Sequence, residues 1–206
     1  MHSHLFRASL LAAVAAAGVI GSTAHAQSAR DGSRTRPDHG IEVYISQDAL
    51  QALYTRRMNI GELGMVDIHA GAFFNEDRDL VGIADALTDV ADTGRFPRWS
   101  FQVGPRTYAI MLSNENQDIF GIGLGGRASY TLGKKQSLSI QLAGFYAPDI
   151  LTFGEANNVS ELSSRIELAF NPNLSGFVGY RIFNVGLLGE DKRVDDGIQI
   201  GFRRNF

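Results

Sequence analysis

The sequence contains no cysteine among its 206 residues, which excludes disulfide bridges and any metal site made of thiolates. Its 19 Lys and Arg nearly balance 22 Asp and Glu, and so weak a net charge argues against nucleic acid as a partner. No apolar run is long enough for a membrane-spanning helix, which needs about 20 residues. Glycine-rich phosphate loops, metal-ligand spacings and nucleophile elbows are also missing, so we expect no cofactor and no metal.

The N-terminal residues have the pattern of a secretory signal peptide. Arg7 provides a short basic segment, Leu10–Ile20 is an apolar run, and Ala24 and Ala26 are the small residues of a cleavage site. This order of segments is typical of exported proteins. We therefore expect residues 1–26 to be removed during export.

The remaining chain is predicted to be one all-β domain, residues 41–206, preceded by a flexible periplasmic tail at residues 27–40. The whole chain has 23 Gly, 13 Phe and 6 Tyr. Within the domain, segments of roughly 8–14 residues alternate apolar with polar or small side chains, and polar turns separate them. In Ile119–Thr131, for example, Phe120 and Leu124 lie on one face, whereas glycines and Arg127 lie on the other.

About ten such segments predict a small closed antiparallel transmembrane β-barrel. The segment Asp48–Met58 is ambiguous, because its Ala, Leu, Gln and Arg residues also favour a helix. If Ile41–Met58 formed something other than strands, the barrel would have eight strands.

Loop lengths alternate in the second half of the domain. Leu132–Gln136 and Asn171–Asn173 are predicted as short turns, and Ala147–Asn158 and Leu188–Asp196 as longer loops. Short periplasmic turns and longer extracellular loops are typical of outer-membrane barrels.

The segment Gly197–Phe206 is predicted as the closing strand. Ile198, Ile200, Phe202 and Phe206 share one face, and glycine or polar residues lie on the other. Outer-membrane barrels commonly finish on an aromatic residue that their assembly machinery recognises. We therefore expect Phe206 to be an assembly signal, and we expect the barrel-assembly machinery and outer-membrane lipid to be the partners of a monomer.

The polar faces of the predicted strands carry charges of both signs, which a barrel would direct into its lumen. These residues are Asp67, His69, Arg127, Glu161, Arg165, Glu167 and Arg203. Two interpretations are open: a path for ions or a substrate, or a network of salt bridges that fills the interior. We prefer the network, because barrels of about eight to ten strands have little room for a channel.

A catalytic function would need a nucleophile beside a base. After the signal peptide the only histidines are His39 and His69, and no sequence pattern ties a serine to His69. We therefore interpret His69 as structural and predict no enzymatic activity. A lipid-modifying barrel enzyme with His69 as its base remains an alternative.

Several motifs of the domain resemble those of one protein family. They are Tyr146–Ala156, whose first six residues are the most specific, then Gly179-Tyr180-Arg181 and Asp195-Asp196-Gly197, with weaker support from Asp92-Thr93-Gly94 and Phe96–Tyr108. Through them the chain resembles the YfaZ family of bacterial outer-membrane proteins. The resemblance implies an outer-membrane barrel and no particular biochemistry.

The sequence thus predicts a monomeric barrel of the Gram-negative outer membrane, with a plugged lumen and a structural or surface-interaction role. A narrow passive pore is the first alternative. A lipid-modifying enzyme and a soluble periplasmic barrel that binds an apolar ligand are the others. The soluble barrel would require the apolar faces of the strands to point inward.

Overall fold

The computed structural model describes residues 38–90, 98–114, 116–132, 137–187 and 191–206. The predicted signal peptide and residues 27–37 of the predicted tail lie outside these ranges. So do residues 91–97, which include the motif Asp92-Thr93-Gly94, and most of the predicted turn Leu132–Gln136. Within the described residues, no helix is long and apolar enough to cross a bilayer.

Eleven strands are assigned within these ranges, and ten of them are long. The long strands are β1 (His39–Ile45), β2 (Ala49–Asn59), β3 (Met65–Asn75), β4 (Leu80–Asp89), β5 (Trp99–Leu112), β6 (Gln117–Leu132), β7 (Leu138–Ala147), β9 (Ala156–Asn171), β10 (Leu174–Leu187) and β11 (Asp191–Asn205). The two-residue strand β8 (Thr152–Phe153) and the 3₁₀ turns Gly61–Leu63 and Asp149–Leu151 lie in connections.

The ten long strands close into an antiparallel barrel. Each pairs with the next long strand along the chain, and β1 pairs with β11 from Gly40 opposite Asn205 to Ile45 opposite Ile200. Closure gives the strands' backbone N–H and C=O groups partners without a free edge, as a bilayer requires. The predicted closed barrel of about ten strands is confirmed.

Two alternatives from the sequence are wrong. The segment Asp48–Met58 is not a helix, because β2 pairs with β1 on one side and β3 on the other. Ile41–Met58 therefore contributes two strands of the wall, and the barrel does not have eight. Tertiary pairing overrides the moderate helix propensity of this segment.

The apolar faces of the strands point outward. In β1, Ile41 and Ile45 are 45% and 62% exposed, whereas Glu42 and Tyr44 between them are each 5% exposed. This alternation presents lipid-compatible side chains to the outside, the reverse of what a soluble apolar-ligand barrel needs.

At one rim the Trp99 ring stacks on Phe101, with 5.4 Å between ring centroids. Aromatic side chains at a barrel rim suit a membrane interface.

Two predicted loops are shorter than expected. The loop Leu188–Asp196 is wrong over most of its length, because β11 already begins at Asp191 and pairs with β10. Likewise β9 begins at Ala156, within the predicted loop Ala147–Asn158. Charged and polar residues at a strand end resemble a loop in composition, yet their backbones continue the hydrogen-bonded ladder.

The interior has an apolar half and a polar half. The apolar half lies towards the rim that carries the β3–β4 and β5–β6 turns, and we call this the loop rim. Its fully buried side chains include Phe73, Val81, Tyr108, Ile110, Phe183 and Val185. The polar half extends from mid-barrel to the opposite end, near His39 and Asn205, which we call the terminal rim.

The glycines of β6 allow its inner face to approach β7 closely. A Cβ on Gly125 would lie 2.2 Å from the carbonyl oxygen of Gly144 and 2.7 Å from the Cα of Phe145. Both contacts are with backbone atoms, which cannot move aside without disturbing the strand. Glycine at this position is therefore a packing requirement of the narrow barrel.

Candidate functional site in the barrel lumen

The first group of interior charges, called here the mid-barrel cluster, consists of Asp85, Arg106, Glu161, Arg181 and Asp195. Arg106 joins β4 to β9: its Nη2 lies 2.5 Å from Asp85 Oδ2 and its Nη1 lies 2.7 Å from Glu161 Oε2. Arg181 Nε lies 3.2 Å from Glu161 Oε1 and its Nη1 lies 3.7 Å from Asp195 Oδ2. Five side chains from five strands are therefore tied across the lumen.

Arg181 is the most buried member of this cluster, with 1% of its surface exposed. It donates a hydrogen bond of 2.6 Å to Gln51 and another to the Tyr44 hydroxyl. Its guanidinium lies 4.8 Å from the ring centroid of Phe73 and 5.0 Å from that of Phe183. The cation thus connects the charged middle of the barrel to the apolar half through cation–π contacts.

The second group, called the lower cluster, consists of Glu42, Arg165, Glu167 and Arg203. Glu42 lies 2.7 Å from Arg165 and 2.6 Å from Arg203. Glu167 also lies between these arginines, at 3.4 Å and 3.2 Å. Each cation therefore has two carboxylates, and the cluster links β1, β9 and β11 where the barrel closes.

His69 connects the mid-barrel cluster to Arg127. Its Nδ1 lies 2.6 Å from Asp85 Oδ1, and its Nε2 lies 3.2 Å from Arg127 Nη1. A guanidinium can only donate hydrogen bonds, so Nε2 must accept and Nδ1–H must donate to Asp85. This arrangement requires the neutral form of the imidazole with its proton on Nδ1.

The mid-barrel cluster and the lower cluster taken together with Arg127 have opposite charge excess. The mid-barrel cluster has two arginines for three carboxylates, whereas the lower cluster together with Arg127 has three arginines for two carboxylates. His69 lies between the two excesses. Interactions of this kind are far stronger in a water-poor lumen than on a surface.

A cavity of about 360 Å³, called the vestibule, occupies the terminal-rim end of the lumen. Arg57 lies on its wall and pairs with Asp89 at 3.0 Å and Asp67 at 3.6 Å. Gln102 also donates a 2.7 Å hydrogen bond to Asp67. A second cavity of about 60 Å³ lies between the charged clusters.

All seven sequence-predicted lumen residues lie on the inner face, but they form four groups rather than one. Glu161 belongs to the mid-barrel cluster, and Arg165, Glu167 and Arg203 belong to the lower cluster. His69 and Arg127 contact each other, whereas Asp67 lies apart with Arg57.

The sequence reasoning missed Glu42, Asp85, Arg106, Arg181 and Asp195. The parity rule that identified the other residues would have found Glu42, which alternates with Ile41 and Val43. Asp85 and Arg106 carried a weaker signal, because apolar residues occupy both faces of their strands.

Phe206 lies at the terminal rim beside the first strand. Its backbone N–H donates a 3.0 Å hydrogen bond to the His39 carbonyl oxygen. Its ring stacks on the His39 ring, with 6.2 Å between centroids and an angle of 7° between planes. Phe206 therefore extends the contact between β11 and β1 where the barrel closes.

The interior charges are arranged as ion pairs rather than as a metal site. Among the described residues, no group of three or more His, Asp and Glu side chains is arranged to hold a metal ion. Two of the family-like motifs, on the adjacent strands β10 and β11, meet at the mid-barrel cluster. Arg181 of Gly179-Tyr180-Arg181 pairs with Asp195 of Asp195-Asp196-Gly197.

Comparison with known proteins identifies one family and several similar structures. The family model described as YfaZ precursor matches residues 58–206. A solved structure titled "Bacterial polysaccharide outer membrane secretin" is 11% identical, with a TM-score of 0.51, and the alignment covers 77% of this chain and 57% of that chain. At this identity the likeness shows the fold alone.

A second solved structure, "Outer-membrane expressed OmpT of Vibrio cholerae", is 12% identical with a TM-score of 0.37, and the alignment covers 81% of this chain and 56% of that chain. That TM-score is too low to support an argument. The chain therefore spans little more than half the length of either structure. No curated protein matches the sequence.

Proposed function

The chain belongs to the YfaZ family and forms an exported outer-membrane β-barrel, and we propose that this barrel does not conduct but has a plugged lumen and a structural or surface-interaction role. The observation that carries the proposal is that successive layers of side chains fill the lumen above the vestibule. These layers are the lower cluster, the mid-barrel cluster and the apolar half.

The apolar layer is a continuous aromatic and aliphatic packing. Tyr108 lies 5.6 Å from Phe183 and Phe73 lies 6.2 Å from Phe183, measured between ring centroids. All three side chains are fully buried. A hydrated ion would have to displace this packing, and each large side chain stabilises the fold by about 1.5–3 kcal/mol when buried.

The loop rim adds a further closure around the buried carboxylate of Asp79. It lies 3.1 Å from Lys192 Nζ and accepts a 2.8 Å hydrogen bond from the Ser113 backbone N–H. Asn75 donates another hydrogen bond to it at 3.1 Å. These contacts join β3, the β5–β6 turn and β11 across the end of the barrel, which supports the proposal that the lumen is closed.

Single-channel recording from the refolded protein in a planar bilayer tests this proposal. We expect no reproducible conductance steps, while an open general porin added to the same bilayer shows that the assay detects insertion and conduction. Reproducible steps from the protein alone would overturn the proposal and favour the narrow pore.

We also propose that His69 is structural rather than catalytic. Both of its ring nitrogens are engaged, with Asp85 and with Arg127, whereas a general base needs a nitrogen free to take a proton. It also points into the lumen, and the barrel wall separates it from lipid. The test compares lipid A from three kinds of cells: those with the protein, those without it and those with the His69→Ala variant. We expect the three lipid A preparations to be identical. A modification of lipid A that depends on His69 would contradict the proposal.

A further inference from the structure

Arg127 differs from the other interior arginines in its lack of a carboxylate. Among the described residues its side chain forms no ion pair, and its hydrogen bond goes to the neutral ring of His69 at 3.2 Å. Its Nε is buried without a hydrogen-bond partner. A guanidinium has five N–H donors, so most of the donor capacity of Arg127 is unused.

Buried donors without a hydrogen-bond partner also occur on Arg165 and Arg181, but the neighbouring cations all have carboxylate partners. Arg57 is held by Asp67 and Asp89, and Arg203 by Glu42 and Glu167. On the vestibule wall, Asp67 and Asp89 therefore share Arg57, and Glu167 pairs with Arg203. Arg127 is a positive charge on the same wall that contacts no carboxylate among the described residues.

The surroundings of Arg127 suit an anion. The vestibule is large enough for a small molecule, and its lining includes the neutral hydroxyl and amide side chains of Ser129, Thr131, Ser139 and Gln141. Hydroxyl and amide groups can donate to an oxyanion without adding charge. Arginine recognises carboxylate and phosphate groups through paired N–H donors.

We infer that the vestibule binds a small oxyanion, of the carboxylate or phosphate class, through Arg127. The ligand enters at the terminal rim. Its negative charge supplies the partner that the Arg127 guanidinium lacks among the described residues. The inference depends on the vestibule alone and holds whether or not the lumen conducts.

Isothermal titration of the refolded barrel with inorganic phosphate, and separately with acetate, tests the inference. The protein is held in an uncharged detergent, and sodium chloride keeps the ionic strength constant. We expect saturable binding with one site per barrel. Arg127→Gln should weaken it by at least about tenfold, the effect of losing one charge-assisted hydrogen bond.

Two further variants make the result decisive. Arg193→Gln removes the same charge from a side chain that is 66% exposed near the loop rim, and it should change the affinity by less than twofold. Gln141→Glu preserves shape and places a carboxylate on the vestibule wall, so it should reduce binding even if Arg127→Gln fails to fold. A heat-dependent gel shift confirms folding of each variant.

Three outcomes would overturn the inference. They are an absence of saturable binding by the unaltered protein, equal affinity in Arg127→Gln, and equal weakening by Arg193→Gln. The last would show that the anion responds only to net charge. Binding of phosphate without acetate, or the reverse, would define which oxyanion class the vestibule accepts.

Discussion

Replacing Glu161 with glutamine should destabilise the barrel more than any comparable change at the other lumen carboxylates. Glu161 lies 2.7 Å from Arg106 and 3.2 Å from Arg181, and it accepts a hydrogen bond from Tyr108 at 3.2 Å. Glutamine keeps the volume of the side chain but removes its charge. Both arginines would remain buried, each with one carboxylate fewer.

The expected magnitude follows from the burial of these arginines. Arg181 would keep only the 3.7 Å contact with Asp195 as an ion pair. Removing one partner of a buried pair costs about 3–5 kcal/mol, because the remaining charge cannot reach water. In a wide, wet pore, solvent would screen the same pairs, and the cost would fall below about 1 kcal/mol.

Two matched variants provide reference values for the stability loss expected from Glu161→Gln. Glu167→Gln should cost less, about 1.5 kcal/mol, because Arg165 and Arg203 both keep Glu42 and the loss resembles one hydrogen bond to a charged group. Glu155→Gln should have no measurable effect, since Glu155 is exposed and contacts Gln117 at 2.7 Å outside the lumen.

Urea unfolding of the refolded protein measures all three variants. The single tryptophan, Trp99, reports unfolding by its fluorescence. With a slope of about 1–3 kcal/mol per molar urea, Glu161→Gln should lower the midpoint by at least about 1 M. Equal small shifts for Glu161→Gln and Glu155→Gln would refute the reasoning and show that water fills the lumen.

Three other predictions test the fold and its closure. The protein should be recovered in the outer-membrane fraction and shift on unheated gels, and a soluble product without a heat shift would contradict the barrel. Deleting Phe206 removes its contacts with His39 and should lower the amount of folded barrel in membranes; unchanged levels would show that neither contact matters. Gly125→Val should prevent folding, because the new side chain would overlap the backbone at Gly144 and Phe145. The control Gly61→Ala lies at a turn where no atom is within 4 Å of a new Cβ. It should cost at most about 1–3 kcal/mol of backbone strain.

The sequence by itself determined the class of fold, because the period of a strand is two residues. Ile198, Ile200 and Phe202 had to share one face of any strand that contained them. The same rule directed Arg165 and Glu167 to the opposite face of their strand. A chain with such segments needs a closed barrel once lipid surrounds it, since lipid offers no partner for backbone N–H groups.

The two-residue period did not identify lumen residues where both faces of a strand are apolar. It also did not identify the end of a strand where charged residues continue into it. In β4, Val81 and Ile83 point inward and Ala84 points outward, so parity alone did not mark Asp85 as a lumen residue. In β11, Asp191–Asp196 resembled a loop in composition but pairs with β10.

Only the tertiary structure decided which lumen charges meet. Arg106 and Glu161 are 55 residues apart in the chain, and their contact depends on strand register and on the curvature that closes the barrel. The same geometry gives Arg203 two carboxylates and leaves Arg127 with none among the described residues. Sequence alternation states which face a side chain occupies, whereas the pairing of charges across a lumen depends on distances between strands that are remote in sequence.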